Sequence, residues 1–84
     1  MRNAKILAAS PVFLERIDPA LNMARYYRLS VEPSLFGDAA LVIEWGRLGT
    51  RGRRRQRLFP AFEEAIEKWR QIERAKRRKG YVDG

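Results

Sequence analysis

The chain predicts an α+β domain: a twisted antiparallel sheet of about four strands with one long C-terminal helix packed on one face. Residues 12–59 hold four short β-prone runs, and the connections between them are too short for crossover helices, which favours antiparallel neighbours. Phe62, Ala65, Ile66, Trp69 and Ile72 recur at helical spacing and form one apolar stripe. With 84 residues in all, four strands cannot bury both faces of a sheet by themselves, so the stripe is needed as a cover for one of them.

In chain order, residues 1–11 read as a tail or short leader and residues 12–82 as a single domain, without repeat or linker. Residues 12–17 (VFLERI) are β-prone and end at Asp18-Pro19, which with Asn22 favours turns. Residues 25–32 give the clearest strand. Tyr27, Leu29 and Val31 line one face of it; Tyr26, Arg28, Ser30 and Glu32 line the other. Residues 33–38 form a turn with Leu35-Phe36 as an apolar staple, and residues 40–45 (ALVIEW) a third strand, β-branched at its centre. Gly46 to Gly52 is a glycine-punctuated connection to a fourth strand over residues 53–59. Pro60 suits the first helical position, where its missing N–H would be unpaired anyway. The helix is expected over residues 61–79. Glu63 and Glu64 fall in its first turn, Lys76, Arg77, Arg78 and Lys79 in its last, both favourable to the helix dipole, and Gly80 follows as a natural stop.

Composition narrows the function. There is no cysteine, hence no disulfide and no thiolate metal site, and no histidine, which removes the commonest general base and metal ligand. No metal and no cofactor are expected. No run of about 18 apolar residues exists to span a membrane, and Ile6-Leu7-Ala8-Ala9 is too short for a secretory signal, so a cytoplasmic protein is the default. The net charge of +8 is unevenly placed. Residues 1–40 carry five basic and four acidic residues; residues 41–84 carry 13 basic and 6 acidic ones. Basicity gathered in one half suggests a charged face and a polyanionic partner.

That face centres on residues 45–57 (WGRLGTRGRRRQR), with one tryptophan, three glycines, six arginines and no acid. The cations repel one another, so the segment makes poor sense as packing alone. Arginine supplies a planar fork of donors that matches phosphate, glycine allows tight turns and close approach, and tryptophan offers a flat face for a sugar or base. The candidate nucleic-acid-binding residues are Trp45, Gly46, Arg47, Arg51, Arg53, Arg55, Arg57 and Tyr26. Each has a plain structural alternative. Trp45 shares parity with Leu41 and Ile43 and is buried if that face is the core. Arg47 is otherwise a hydrogen-bond donor to a loop carbonyl. Tyr26 is either a stacking platform flanked by Arg25 and Arg28 or a member of a cross-strand aromatic pair. On the fourth strand Arg53, Arg55 and Arg57 point one way and Arg54 the other. If Leu58 belongs to the core, the three form a row facing water at a spacing of about 6.6 Å; if Phe59 does, Arg54 is the outward one. Arg70, Arg74 and Arg77 interleave with Glu63, Glu67 and Glu73, as on a solvated helix surface. Tyr81 either closes on the core or stands free.

Trp45-Gly46-Arg47-Leu48-Gly49-Thr50-Arg51-Gly52 resembles the signature of the WGR domain family, named for its Trp-Gly-Arg motif. Arg25-Tyr26-Tyr27-Arg28-Leu29 is similar to that family's aromatic strand, Ala61-Phe62-Glu63-Glu64-Ala65 to its helix start, and Lys79-Gly80-Tyr81 to its ending, so the resemblance covers roughly residues 12–82. WGR domains occur in poly(ADP-ribose) polymerases and in short bacterial proteins. In the polymerases the domain binds DNA near strand breaks and contacts neighbouring domains, its tryptophan packing on the terminal sugar and its arginine serving backbone or interdomain contacts. The resemblance places those roles on Trp45 and Arg47. No ADP-ribosyl transferase sequence follows them here, so NAD chemistry is not expected.

Three functions are weighed. The leading one is a nucleic-acid-binding module, DNA favoured, acting on backbone and strand ends with little sequence preference. The alternative is a protein-interaction module docking on an acidic partner or on itself, anchored by Leu35-Phe36 and Tyr26. An enzyme is disfavoured: Glu32, Asp38 and Glu44 show no spacing that demands a shared site, and Gly46, Gly49 and Gly52 lack the lysine and hydroxyl residue of a phosphate-binding loop. Oligomeric state is not legible.

Overall fold

A computed structural model of the chain describes residues 11–34 and 38–84; the leader apart from Pro11, and the Leu35-Phe36 staple, lie outside the described residues. The elements run β1 (Val12–Asp18), β2 (Met23–Pro33), β3 (Ala39–Arg47), β4 (Arg53–Phe59), α1 (Phe62–Arg78) and β5 (Val82–Asp83), with a 3-10 turn at Pro19–Leu21. The strands form one sheet in the order β4-β3-β2-β1-β5, and every neighbouring pair is antiparallel. This is the expected α+β fold with a strand added.

The fifth strand follows from how α1 stops. Gly80 takes φ +100, and the Gly80 and Tyr81 amides donate to the carbonyls of Arg77 (3.0 Å) and Lys76 (3.1 Å). That reversal is a Schellman motif, which needs glycine in the left-handed position. It sends the chain back along β1, where Leu14 pairs with Asp83 and Glu15 with Val82.

The other end of α1 departs from expectation. Pro60 is not the first helical residue; the backbone is still extended at Ala61 (φ −128, ψ 142), which acts as the N-cap without a side-chain hydrogen bond. The bend at Pro60 and Ala61 carries the chain from the sheet edge to the layer above before the helix starts.

Residues of odd number on β2 and β3 face that helix. Leu29, Val31, Ala39 and Leu41 meet Ala65 and Trp69 there, with Tyr27, Ile43, Phe59, Phe62, Ile66 and Ile72 packed around them. The predicted stripe is therefore the core. It runs diagonally, from Phe59 and Phe62 at one end of the sheet to Lys76 above Tyr27 at the other. The basic last turn of the helix is thereby brought to the same end as Trp45. Among the described residues no helix is long and apolar enough to cross a membrane, and no group of three His, Cys, Asp or Glu side chains is placed to hold a metal ion.

Candidate nucleic-acid interface

The glycines of the β3–β4 connection let its two arms touch. β3 outruns β4: the last β3–β4 pair is Trp45 with Arg53, whereas Gly46 and Arg47 continue alongside Tyr26 and Arg25 of β2. The returning chain crosses the backbone at Gly46, where an added Cβ would lie 2.7 Å from the Gly52 Cα. A Cβ on Gly52 itself, at φ +69, would collide with the Trp45 carbonyl oxygen and the Tyr26 hydroxyl. At the tip, the Thr50 amide and hydroxyl both donate to the Arg47 carbonyl, at 3.0 and 2.7 Å. Gly49 at φ +85 supplies the third residue of what has the form of a type II turn.

Two side chains fasten this loop. The Tyr26 hydroxyl donates to the Arg51 carbonyl at 2.9 Å, and its ring stacks on Phe13 with centroids 5.8 Å apart. The Arg47 guanidinium donates to the Asn22 backbone carbonyl (3.2 Å) and side-chain oxygen (3.4 Å). Asn22 can present both because it sits in the left-handed region at φ 50, capping the 3-10 turn. Both candidates thus do structural work in the free domain, Tyr26 from the sheet face opposite the helix and Arg47 from an exposed strand end.

Trp45 lies on the helix side and is only partly buried. Its ring stacks on Tyr27 (centroids 6.2 Å apart, planes at 17°), and Tyr27 in turn takes the edge of buried Tyr81 at 5.7 Å. Packing on one side and exposure on the other are both realised, and Tyr81 closes on the core.

The arginines follow Trp45 to that side. Register places Arg53 opposite Trp45, Arg55 opposite Ile43, Arg57 opposite Leu41 and Phe59 opposite Ala39, so all share the helix face. Phe59, not Leu58, is the inward residue; Leu58 is 53% exposed. The branch in which Phe59 turns inward therefore holds, yet the row still faces water. The cause is sheet width: β4 is the edge strand, α1 lies over the middle of the sheet, and Arg53, Arg55 and Arg57 are all exposed. Arg54 points to the opposite face, across from Glu44. Arg51 is exposed on the loop, its carbonyl held by Tyr26.

Sequence reasoning missed the other half of the cationic rim. Arg16 pairs with Arg25, and Arg25 with Arg47, so three like charges cross one end of the sheet in register. Lys76 places its ammonium 4.2 Å from the Tyr27 ring centroid and 5.9 Å from that of Tyr81. A groove of about 440 Å³ results, lined by Arg25, Arg47, Lys76, Tyr27, Trp45 and Tyr81 together with Tyr26 and Gly46, and no acid is among its lining. The signal for Arg25 was legible, beside Tyr26; Lys76 reaches Trp45 only through the fold.

Fold and site together define a small α+β domain with an aromatic, cation-rimmed end. The chain belongs to the WGR domain family, which matches it over residues 10–84. Over 70 residues it is 46% identical to the uncharacterized protein y4dW of Sinorhizobium fredii, a stretch that makes up 83% of this chain and 34% of that protein. A crystal structure of a Bacteroides fragilis protein shares the fold, with a TM-score of 0.76 at 20% identity over 88% of this chain and 19% of that one. The chain thus spans about a third of the first relative's length and about a fifth of the second's.

Proposed function

We propose that this domain binds nucleic acid, DNA above all, through its backbone and strand ends and with little sequence preference, as a binding module without chemistry of its own. The supporting observation is the gathering of Arg53, Arg55, Arg57, Arg25, Arg47 and Lys76 around Trp45 on one side of the sheet. Like charges directly opposite one another on a sheet are destabilising, so the Arg16–Arg25–Arg47 register works against folding and favours an anionic partner. Arg53, Arg55 and Arg57 would neutralise successive phosphates, and the open face of Trp45 would lean on a terminal sugar or base, the role that the family resemblance places on it. The apolar stripe of α1 is consumed by the core, which leaves no helix among the described residues to read base edges.

Electrophoretic shifts with blunt, nicked, circular and single-stranded probes at two salt concentrations test the reading. About five engaged arginines give a slope of log K against log salt of roughly −4 to −5 on duplex DNA. A flat dependence overturns the proposal. Trp45→Ala is expected to weaken binding to ended DNA more than to a closed circle, and equal losses remove the strand-end role.

A further inference from the structure

The geometry points to Lys76 and Arg25 as a second phosphate seat, separate from the β4 row and fed by the last turn of α1. This rests on the nucleic-acid reading and extends it to residues outside the Trp-Gly-Arg segment. Among the described residues, Lys76 is the only helical one lining the groove beside Trp45. Its ammonium stands over the Tyr27 ring at 4.2 Å, and Tyr27 is the ring on which Trp45 stacks. A lysine ammonium carries three donors. The ring face attracts the charge without a conventional hydrogen-bond acceptor, so the N–H groups turned away from it remain for phosphate oxygens. The carbonyl of the same residue anchors the Schellman turn, accepting from Lys79 at 3.0 Å and Tyr81 at 3.1 Å, so the stem of Lys76 leaves a fixed backbone.

Arg25 closes the seat from the sheet. It lies between Arg16 and Arg47 in register, is exposed, and lines the same groove. The path of a bound strand then has two stretches. One follows Arg57, Arg55 and Arg53 along β4 to Trp45; the other is the groove beside Trp45, where a phosphate flanking the sugar on Trp45 rests between Arg25 and Lys76. Because the two stretches are carried by different elements, either can be disabled while the other stands.

The test compares Lys76→Met with Lys79→Met on a short blunt duplex between about 50 and 200 mM salt. Both remove one positive charge from the same helix end, but Lys79 is exposed and does not line the groove. Methionine keeps the alkyl stem over Tyr27, and a thermal melt of each variant checks folding. K76M is expected to bind roughly fivefold more weakly at the lower salt and to flatten the slope by about 0.9, one phosphate contact, with K79M close to wild type. Arg25→Gln, at an exposed position, should reproduce the K76M result. A K76M slope parallel to wild type, or equal losses in K76M and K79M, overturns the seat while leaving the nucleic-acid reading intact. A wild-type chain with no salt-dependent binding overturns both.

Discussion

Two arginine-rich regions of this domain look alike in sequence and differ in what surrounds them. On α1, Arg77 stands between carboxylates: its Nε and Nη2 meet Glu73 at 3.0 Å, and Nη2 meets Asp83 at 2.8 Å. On β4, Arg53 and Arg55 have no acid partner among the described residues, and Arg57 lies over the Phe59 ring at 5.2 Å. The helix arginine is neutralised within the chain, and the strand arginines are not. Positive charge is therefore a poor guide to a binding surface until its internal partners are subtracted. Here the subtraction removes Arg77 and leaves an edge strand on which Arg53, Arg55 and Arg57 point to the side of Trp45. The same arginines protect that edge, since a strand crowded with charge resists pairing with a second sheet.

The largest effect should come from breaking the unpaired region. Replacing Arg53, Arg55 and Arg57 together by Gln is expected to weaken duplex binding roughly a hundredfold at low salt and to flatten the salt slope by nearly three units. Stability should hold or rise slightly, because the removed charges repel one another. Arg54→Gln is the internal control, since that side chain points to the opposite face across from Glu44. Titration by fluorescence anisotropy reads both. A triple variant that binds like R54Q would show that the β4 row is only a solvated surface.

A second substitution asks whether the row depends on the loop that delivers it. Gly52→Ala forces a Cβ against the Trp45 carbonyl and the Tyr26 hydroxyl at φ +69, where L side chains are strained. The expected loss is about 1–3 kcal/mol of stability, read as a lowered midpoint in urea. Binding should fall with it, because Arg53 follows directly. Gly49→Ala removes a glycine of similar φ but meets open space, so its loss should be smaller. Equal losses in the two would mean that the crossing of the arms at Gly46 and Gly52 is not what holds the loop.

Much of this was legible in the chain, and the gaps have physical causes. The spacing of Phe62, Ala65, Ile66, Trp69 and Ile72 announces a helix and its buried face, because periodicity is a local property. The fourth strand was legible as a strand but not as a face. Leu58 and Phe59 are adjacent and both apolar, so alternation could not decide between them; Phe59 wins by lying opposite Ala39 in the core. Even with that known, the exposure of the row depends on where α1 lies across the sheet, which no local pattern states. Val82–Asp83 is too short to show as a strand and exists because the turn at Gly80 aims it at β1. Of the site, the Trp-Gly-Arg segment was visible as a block. Asn22, which holds Arg47, and Lys76, which caps Tyr27, come from distant segments and join it only after folding.

The smallest effect should come from the paired region. Hydrogen bonds to Asp83 and then Glu73 raise the Arg77 pKa above its usual value, against a slight desolvation by burial. A raised pKa in the folded state means that the stability from this pair is fully present below the ordinary arginine value and is lost only as pH climbs past the folded one. Across the neutral range the contribution is therefore constant. The Arg77 side chain is 38% exposed and Asp83 79%, so solvent screens the pair and its worth is at most a few tenths of a kcal/mol. Arg77→Gln should thus lower the urea midpoint slightly, by an amount that shrinks with added salt and does not change between about pH 6 and 9. DNA affinity should drop less than for Arg53→Gln, Arg55→Gln or Arg57→Gln, since a guanidinium already shared between two carboxylates has little to offer a phosphate. If R77Q instead weakens binding as much as Arg53→Gln, internal pairing does not silence an arginine here, and the contrast between the two regions fails.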